Sequence, residues 1–130
     1  MKILIAGHGE LPEALLSSAR MIGGALPDVA SIGLFPGETP QDFRGRLTAA
    51  LEESRAELIL TDLAGGTPDN VANLSIKGGH FPHVQWIIAG VSLPLLLECA
   101  LSSSLADAHP EVIIPDTSAV VRYANPHSLD

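Results

Sequence analysis

The sequence has little cysteine, few basic residues and no long apolar segment. Cys99 is the single cysteine among 130 residues, which excludes an intramolecular disulfide and a cysteine-based metal cluster. Lysine and arginine together number 7, against 15 aspartates and glutamates, for a net charge of −8. This charge argues against binding to nucleic acid or to an anionic membrane surface. Because the neighbours of Cys99 are mostly apolar, we expect a buried and inert thiol.

The apolar runs are too short for a signal peptide or a membrane span. The N-terminal run covers residues 3–6, and the run at residues 93–97 is followed at once by Glu98. Hydrophobic residues make up 46% of the chain and charged residues 17%, a globular composition. We therefore expect a cytoplasmic protein with one domain, residues 1–130, large enough to bury a core.

Apolar runs and amphipathic segments alternate along the chain. Strands are predicted at about residues 3–8, 29–34, 57–62 and 84–90, and a helix is predicted after each of them. This βαβαβαβα alternation predicts an α/β fold, a doubly wound and mainly parallel sheet with helices on both faces. After residue 107 the signal weakens, and residues 111–115 and 118–123 are each a candidate edge strand because prolines surround them.

Capping residues predict where the helices begin. Thr39 is an expected N-cap, with Pro40 at the first helical position and Asp42 near the positive helix end. Thr67 and Pro68 repeat this start for the third helix. Glycine pairs end the first and third helices, and the fourth helix is predicted over residues 92–105.

Two polar residues follow neighbouring strands of the expected sheet. His8 ends the first strand and Asp62 ends the third. Parallel strands present their carboxyl ends at one rim, and with a strand order of 2-1-3-4, which we assume, these two strands are adjacent at the switch point of the sheet. Asp62 can then accept a hydrogen bond from one ring nitrogen of His8, fixing the tautomer and leaving the other nitrogen as a nucleophile.

Helix starts on the same rim predict an anion site. Gly9 and Glu10 open the first helix, and Gly65, Gly66 and Thr67 precede or open the third. Amides at helix N-termini have no partner within the helix and bind phosphate readily. We therefore expect these five residues to form an anion site that a phosphoryl group can approach closely, with no metal and no cofactor.

Simpler interpretations stay open from the residues alone. Asp62 can cap its own turn, the glycines can serve only the loop, and His8 can lack a function. His80 and His83 flank a short loop without an evident third ligand, so they do not predict a metal site. Composition and spacing lead no further than a histidine site that handles an anion.

The combination of motifs resembles the mannose-family IIA domain of the bacterial phosphoenolpyruvate-dependent sugar phosphotransferase system (PTS). The resemblance covers about residues 1–105, in the family's order and at similar spacing. The matching segments are Ile3-Leu4-Ile5-Ala6-Gly7-His8-Gly9, Phe35-Pro36-Gly37-Glu38, Asp62-Leu63-Ala64-Gly65-Gly66-Thr67-Pro68-Asp69-Asn70 and Ile88-Ala89-Gly90-Val91-Ser92-Leu93-Pro94-Leu95-Leu96.

The resemblance implies a phosphohistidine carrier. His8 would receive phosphate from the carrier protein HPr and pass it to a histidine on a IIB protein or domain during sugar uptake. Asp62 would orient His8, and Thr67 with the glycines before it would surround the phosphoryl group. The family also implies a homodimer. Alternatives are a regulatory or anion-binding module of the same fold, and the phosphotransfer subunit that serves dihydroxyacetone kinase.

Two departures from the family pattern stand out. Residues 107–130 are rich in proline and show no clear amphipathic helix. This departure weakens the expectation of the family's dimer contact more than the expectation of the site. Asp69 stands where the resemblance suggests an uncharged residue. Its carboxylate would repel a phosphoryl group, or it interacts with the start of the third helix.

Overall fold

A computed structural model describes residues 1–103 and 120–123 of the chain. Strands and helices alternate through the described residues, with one further strand after the fourth helix. The elements are β1 (Ile3–His8), α1 (Leu11–Gly23), β2 (Val29–Leu34), α2 (Pro40–Ser54), β3 (Leu58–Thr61), α3 (Thr67–Lys77), β4 (Trp86–Ala89), α4 (Leu93–Ala100) and β5 (Val120–Tyr123). The α/β prediction is confirmed.

The five strands form one sheet in the order β2-β1-β3-β4-β5. β1, β2, β3 and β4 are parallel, whereas β5 pairs antiparallel with β4. The assumed order 2-1-3-4 is therefore correct, and β1 and β3 are hydrogen-bonded neighbours. Of the two candidate edge strands, residues 118–123 contain β5, and residues 111–115 lie outside the described residues.

Helices cover both faces of the sheet. On one face α2 and α3 bury Phe43, Leu47 and Val71 against the sheet, and on the other face α1 and α4 bury Leu16 and Leu96. Each such fully buried side chain contributes about 1.5–3 kcal/mol to folding. Cys99 is buried in the second cluster, as the sequence predicts.

The helix starts agree with the sequence at α2 and differ at α3. Thr39 is the N-cap of α2 and forms a capping box with Asp42, each side chain accepting the other residue's backbone N–H. In α3 the N-cap is Gly66, and Thr67 is already the first helical residue. The prediction of Thr67 as a cap was therefore wrong by one position. The third helical residue, Asp69, supplies the side chain that stabilises this start, as described below.

The fourth helix is shorter than its apolar pattern predicts. Ser92 caps it by accepting the amide of Leu95, and the helix ends at Ala100 instead of continuing to residue 105. Among the described residues, no helix is long and apolar enough to cross a membrane.

Candidate functional site

His8 and Asp62 meet at the carboxyl ends of two adjacent strands. The parallel register pairs Ala6 with Thr61, so the residues that follow lie side by side at the rim. Oδ2 of Asp62 accepts two hydrogen bonds from His8, one from the backbone N–H at 2.9 Å and one from ring Nδ1 at 2.8 Å. The structure thus brings together the two residues that the sequence placed on one rim.

This contact assigns the tautomer of His8. An ionised carboxylate can only accept hydrogen bonds, so the neutral ring bonded to it carries its hydrogen on Nδ1 and keeps the lone pair on Nε2. The His8 side chain is 46% exposed, whereas the side chain of Asp62 is only 9% exposed. Nε2 is therefore the ring nitrogen that can react.

The second carboxylate oxygen of Asp62 is buried. Oδ1 receives no hydrogen bond from the described part of the chain. All of the hydrogen bonding that the structure gives this carboxylate therefore comes from His8, so the ring and the carboxylate are held as one unit.

A shallow depression of about 470 Å³ opens beside His8. One wall is the loop that follows β2, in which Phe35 is 46% exposed. The depression is large enough for a phosphoryl group with room to spare. Its lining residues are His8, Gly9, Leu34, Phe35, Pro36, Gly37 and Glu38.

The start of α3 closes on the other side of the ring. A Cβ atom added to Gly66 would lie 3.0 Å from Cε1 of His8, tighter than nine in ten Cβ contacts in proteins. The ring carbon between Nδ1 and Nε2 therefore packs against the backbone of Gly66, and a larger residue there would require the ring to shift by a few tenths of an ångström. Thr67 follows as the first residue of α3, and its amide has no acceptor within the helix.

The amides of the three predicted phosphate-binding glycines already have partners within the protein. Gly9 donates to the carbonyl of Leu34 at 2.7 Å, and Gly66 donates to the carbonyl of Leu63 at 3.1 Å. Gly65 donates to Asp69 Oδ2 at 2.9 Å. These glycines shape the rim through their backbone.

Glu10 opens the other helix at the rim. It is the N-cap of α1 and makes no side-chain capping hydrogen bond. The Glu10 side chain is exposed. The starts of both α1 and α3 thus offer amides at the rim.

Asp69 takes part in folding the loop and is fully buried. Besides the Gly65 amide, its carboxylate accepts the hydroxyl of Thr61 at 2.9 Å. Of the two possibilities in the sequence, the interaction with the helix start is the one observed. The signal was available, because an acidic residue three positions after an N-cap commonly reaches back to an amide before the helix.

A second ion pair lies at the rim and was not predicted from the sequence. Glu38 and Arg46 are joined at 2.6 Å, and this hydrogen bond from Arg46 lowers the pKa of the Glu38 carboxyl below its ordinary value. The residues are eight positions apart, so no helical or strand spacing predicts the contact.

Two further histidines of the described residues, His80 and His83, lie apart from this site. His83 donates from Nδ1 to the carbonyl of Ala56 at 2.9 Å, and His80 is exposed in the loop before β4. Within residues 1–103 and 120–123, the structure shows no group of three or more histidine, cysteine, aspartate or glutamate side chains that could hold a metal ion.

Comparison with known proteins places the chain in a family. The EIIA-man model, described as the PTS system fructose IIA component, matches residues 2–113. The chain belongs to the EIIA-man family. It is therefore a IIA component of a sugar phosphotransferase system, which fits a phosphocarrier role, and the resemblance drawn from the motifs is confirmed.

Individual EIIA-man relatives are similar over most of this chain. The sorbose-specific EIIA component of Lacticaseibacillus casei is 33% identical over 107 residues, 80% of this chain and 75% of that protein. The fructose-specific EIIA component of Bacillus subtilis is 36% identical over 101 residues, 75% of this chain and 67% of that protein. The mannose/sorbose-specific IIA subunit from Enterococcus faecalis superposes with a TM-score of 0.75 and 31% identity, covering 86% of this chain and 87% of that one.

Proposed function

We propose that His8 carries the phosphoryl group, accepting it on Nε2 from HPr and donating it to a histidine of a IIB protein or domain. The observation that supports this most directly is the double hydrogen bond from His8 to Asp62 Oδ2. In the neutral ring this contact leaves the lone pair on Nε2, and the side chain is exposed, which is what a nitrogen nucleophile requires.

The transfer step conserves atoms and charge without a cofactor. The lone pair of His8 Nε2 forms a bond to phosphorus as the phosphorus–nitrogen bond of the donor's phosphohistidine breaks. Positive charge grows on the His8 ring as this bond forms, and the buried Asp62 carboxylate beside Nδ1 stabilises it. Nδ1 keeps its proton throughout, and the reverse of these steps passes the group to the IIB histidine.

The start of α3 supports the phosphoryl oxygens in this proposal. Phosphoryl transfer depends on positioning and on stabilising the charge of the equatorial oxygens. Gly66 packs against the ring beside Nε2, so the amide and hydroxyl of Thr67 are the nearest donors that follow it along the chain. Gly9, Glu10, Gly65 and Gly66 complete the proposed site as backbone that shapes the approach.

The proposal also covers the cellular location and the oligomeric state of the protein. We infer a cytoplasmic protein that works as a homodimer, as the family resemblance implies. Sedimentation velocity of the purified chain tests the oligomeric state, and a monomer at micromolar concentration would contradict it.

A phosphorylation and chase experiment tests the function. The purified protein is incubated with phosphoenolpyruvate, enzyme I and HPr, and the label is tested for the acid lability and alkali stability of phosphohistidine. We expect label on the wild type, none on His8→Ala, and full label on the control His80→Ala, whose ring is exposed in a distant loop. Unlabelled wild type, or labelled His8→Ala, would refute the proposal. Label that forms but cannot be chased onto a IIB partner would favour the regulatory alternative.

A further inference from the structure

Glu38 and Arg46 fasten the loop after β2 to α2. Nη1 of Arg46 lies 2.8 Å from Oε1 and 2.6 Å from Oε2 of Glu38, and it also donates to the carbonyl of Gly33 at 3.1 Å. Oε1 of Glu38 accepts the backbone N–H of Phe35 at 3.2 Å. The two side chains therefore hold both ends of residues 33–38.

The contacted backbone groups lie on the open edge of the sheet. β2 is an outer strand, and the Leu34 carbonyl points inward to accept the amide of Gly9. Because successive residues of a strand direct their polar groups to opposite sides, Gly33 and Phe35 direct theirs outward. The guanidinium and carboxylate thus take the place of a missing neighbouring strand at this point.

This loop is the wall of the depression beside His8. The approach at Gly33 is close, because a Cβ there would lie 2.0 Å from the carbonyl oxygen of Gly9 and 3.4 Å from Cε2 of Phe35. A shift of the loop would therefore also shift Gly9, the residue next to His8. The hydrogen bonds that orient the His8 ring are made with Asp62. The loop therefore forms part of the surface around the ring and does not hold the ring itself.

The ion pair also sets the charge of the wall. Glu38 lines the depression, and an unpaired carboxylate there would add a negative charge to the surface on which a donor protein docks. The two short contacts from Arg46 place a positive charge directly on this carboxylate, so the wall presents a neutral pair. Loss of the arginine would change both the shape and the charge of the surface where a partner approaches.

We propose that Glu38 and Arg46 are positioning residues that set the affinity of the carrier for its phosphoryl donor protein, by fixing the loop of residues 33–38 and cancelling its charge. This inference rests on the proposed function. The chemistry of His8 with a small phosphoryl donor does not depend on the pair, because a small donor needs the Nε2 nitrogen and not the wall.

Arg46→Met tests the proposal with two donors, phosphorylated HPr and the small molecule phosphoramidate. We expect KM for phosphorylated HPr to rise about tenfold, with kcat and the rate of labelling by phosphoramidate within twofold of the wild type. Arg44→Met is the matched control, because it removes the same charge from an exposed position of the same helix, and its KM should not change. Arg46→Lys should restore part of the affinity, since a lysine keeps the charge but not the forked geometry.

Glu38→Gln provides a second variant, in which the side chain still accepts the Phe35 amide but loses its charge. If the pair acts as one unit, the double variant with Arg46→Met is no worse than the more impaired single variant. An unchanged KM in Arg46→Met, an equal rise in Arg44→Met, or a parallel loss of phosphoramidate labelling would each overturn the inference. Failure of the proposed function is distinct, because the wild type itself would then remain unlabelled.

Discussion

Asp62 Oδ2 accepts both the backbone N–H and the ring Nδ1–H of His8, at 2.9 and 2.8 Å. One oxygen therefore fixes the residue's backbone and its ring together, and the buried carboxylate has no other hydrogen-bond donor among the described residues. The ring is thereby held in one tautomer with Nε2 outward, before any partner binds. Such preorganisation reduces the cost of reaching the transfer geometry.

Asp62→Asn should leave the protein folded but slow the phosphorylation of His8 by about 10²-fold, the scale of a lost electrostatic stabilising group. An asparagine can turn its NH₂ group toward Nδ1, which moves the ring hydrogen to Nε2 and removes the nucleophile. Rapid-quench kinetics with phosphorylated HPr measure the rate, and the circular dichroism spectrum checks the fold. Unchanged kinetics would remove Asp62 from the mechanism.

Gly66→Ala should slow the same reaction without unfolding the protein. The backbone φ of Gly66 is −71°, which alanine adopts, but the new Cβ would press on His8 Cε1 and rotate the ring. Gly45→Ala is the matched control, because its Cβ would meet nothing within 4 Å. In the interior of α2 it should raise the free energy of unfolding by about 0.5–1 kcal/mol and leave the rate unchanged. Equal rates for both variants would contradict the close approach at Gly66.

Asp69→Asn should lower the free energy of unfolding by about 1–3 kcal/mol, the cost of an unsatisfied buried group. The carboxylate accepts hydrogen bonds from both Thr61 and Gly65. In asparagine one of the two oxygens is replaced by an NH₂ group, which would face one of these donors where an acceptor is needed. Urea denaturation measures the change. If stability is unchanged while phosphorylation is lost, Asp69 acts on the phosphoryl group and not on the loop.

The pKa of Glu38 should rise toward its ordinary value in Arg46→Met. The hydrogen bond from Arg46 is the largest cause of the lowered pKa, and the amide of Phe35 adds to it. A lowered pKa in the folded state means that the ionised form stabilises the fold, and this contribution is lost as the pH falls through that pKa. Titration of the carboxyl carbon by NMR measures the change, and identical curves for the two proteins would contradict it.

Cys99 should not react with a thiol reagent in the native protein. Burial raises the pKa of its thiol to about 11, so the thiolate fraction at pH 8 is only about one thousandth. Labelling with a chromogenic disulfide at pH 8 should be slow for the native protein and fast in denaturant. Rapid labelling of the native protein would show that the helix α4 opens locally.

The sequence by itself determined which segments form strands and helices and which polar residues lie at the carboxyl ends of the strands. Strands, helix stops and the capping box of Thr39 and Asp42 arise from residues a few positions apart, and such local effects can be read from the chain. The alternation of strands and helices was enough to place His8 and Asp62 at one rim, because parallel strands end on the same side.

Only the tertiary structure decided which groups touch. Strand order follows from how helices pack on both faces, so the contact between His8 and Asp62 depends on an order that local sequence patterns do not specify. The pairing of Glu38 with Arg46 and the approach of Gly66 to His8 join residues whose separation in the chain follows no structural period. Distances of this kind are fixed by packing of the whole domain, and local sequence contains no measure of them.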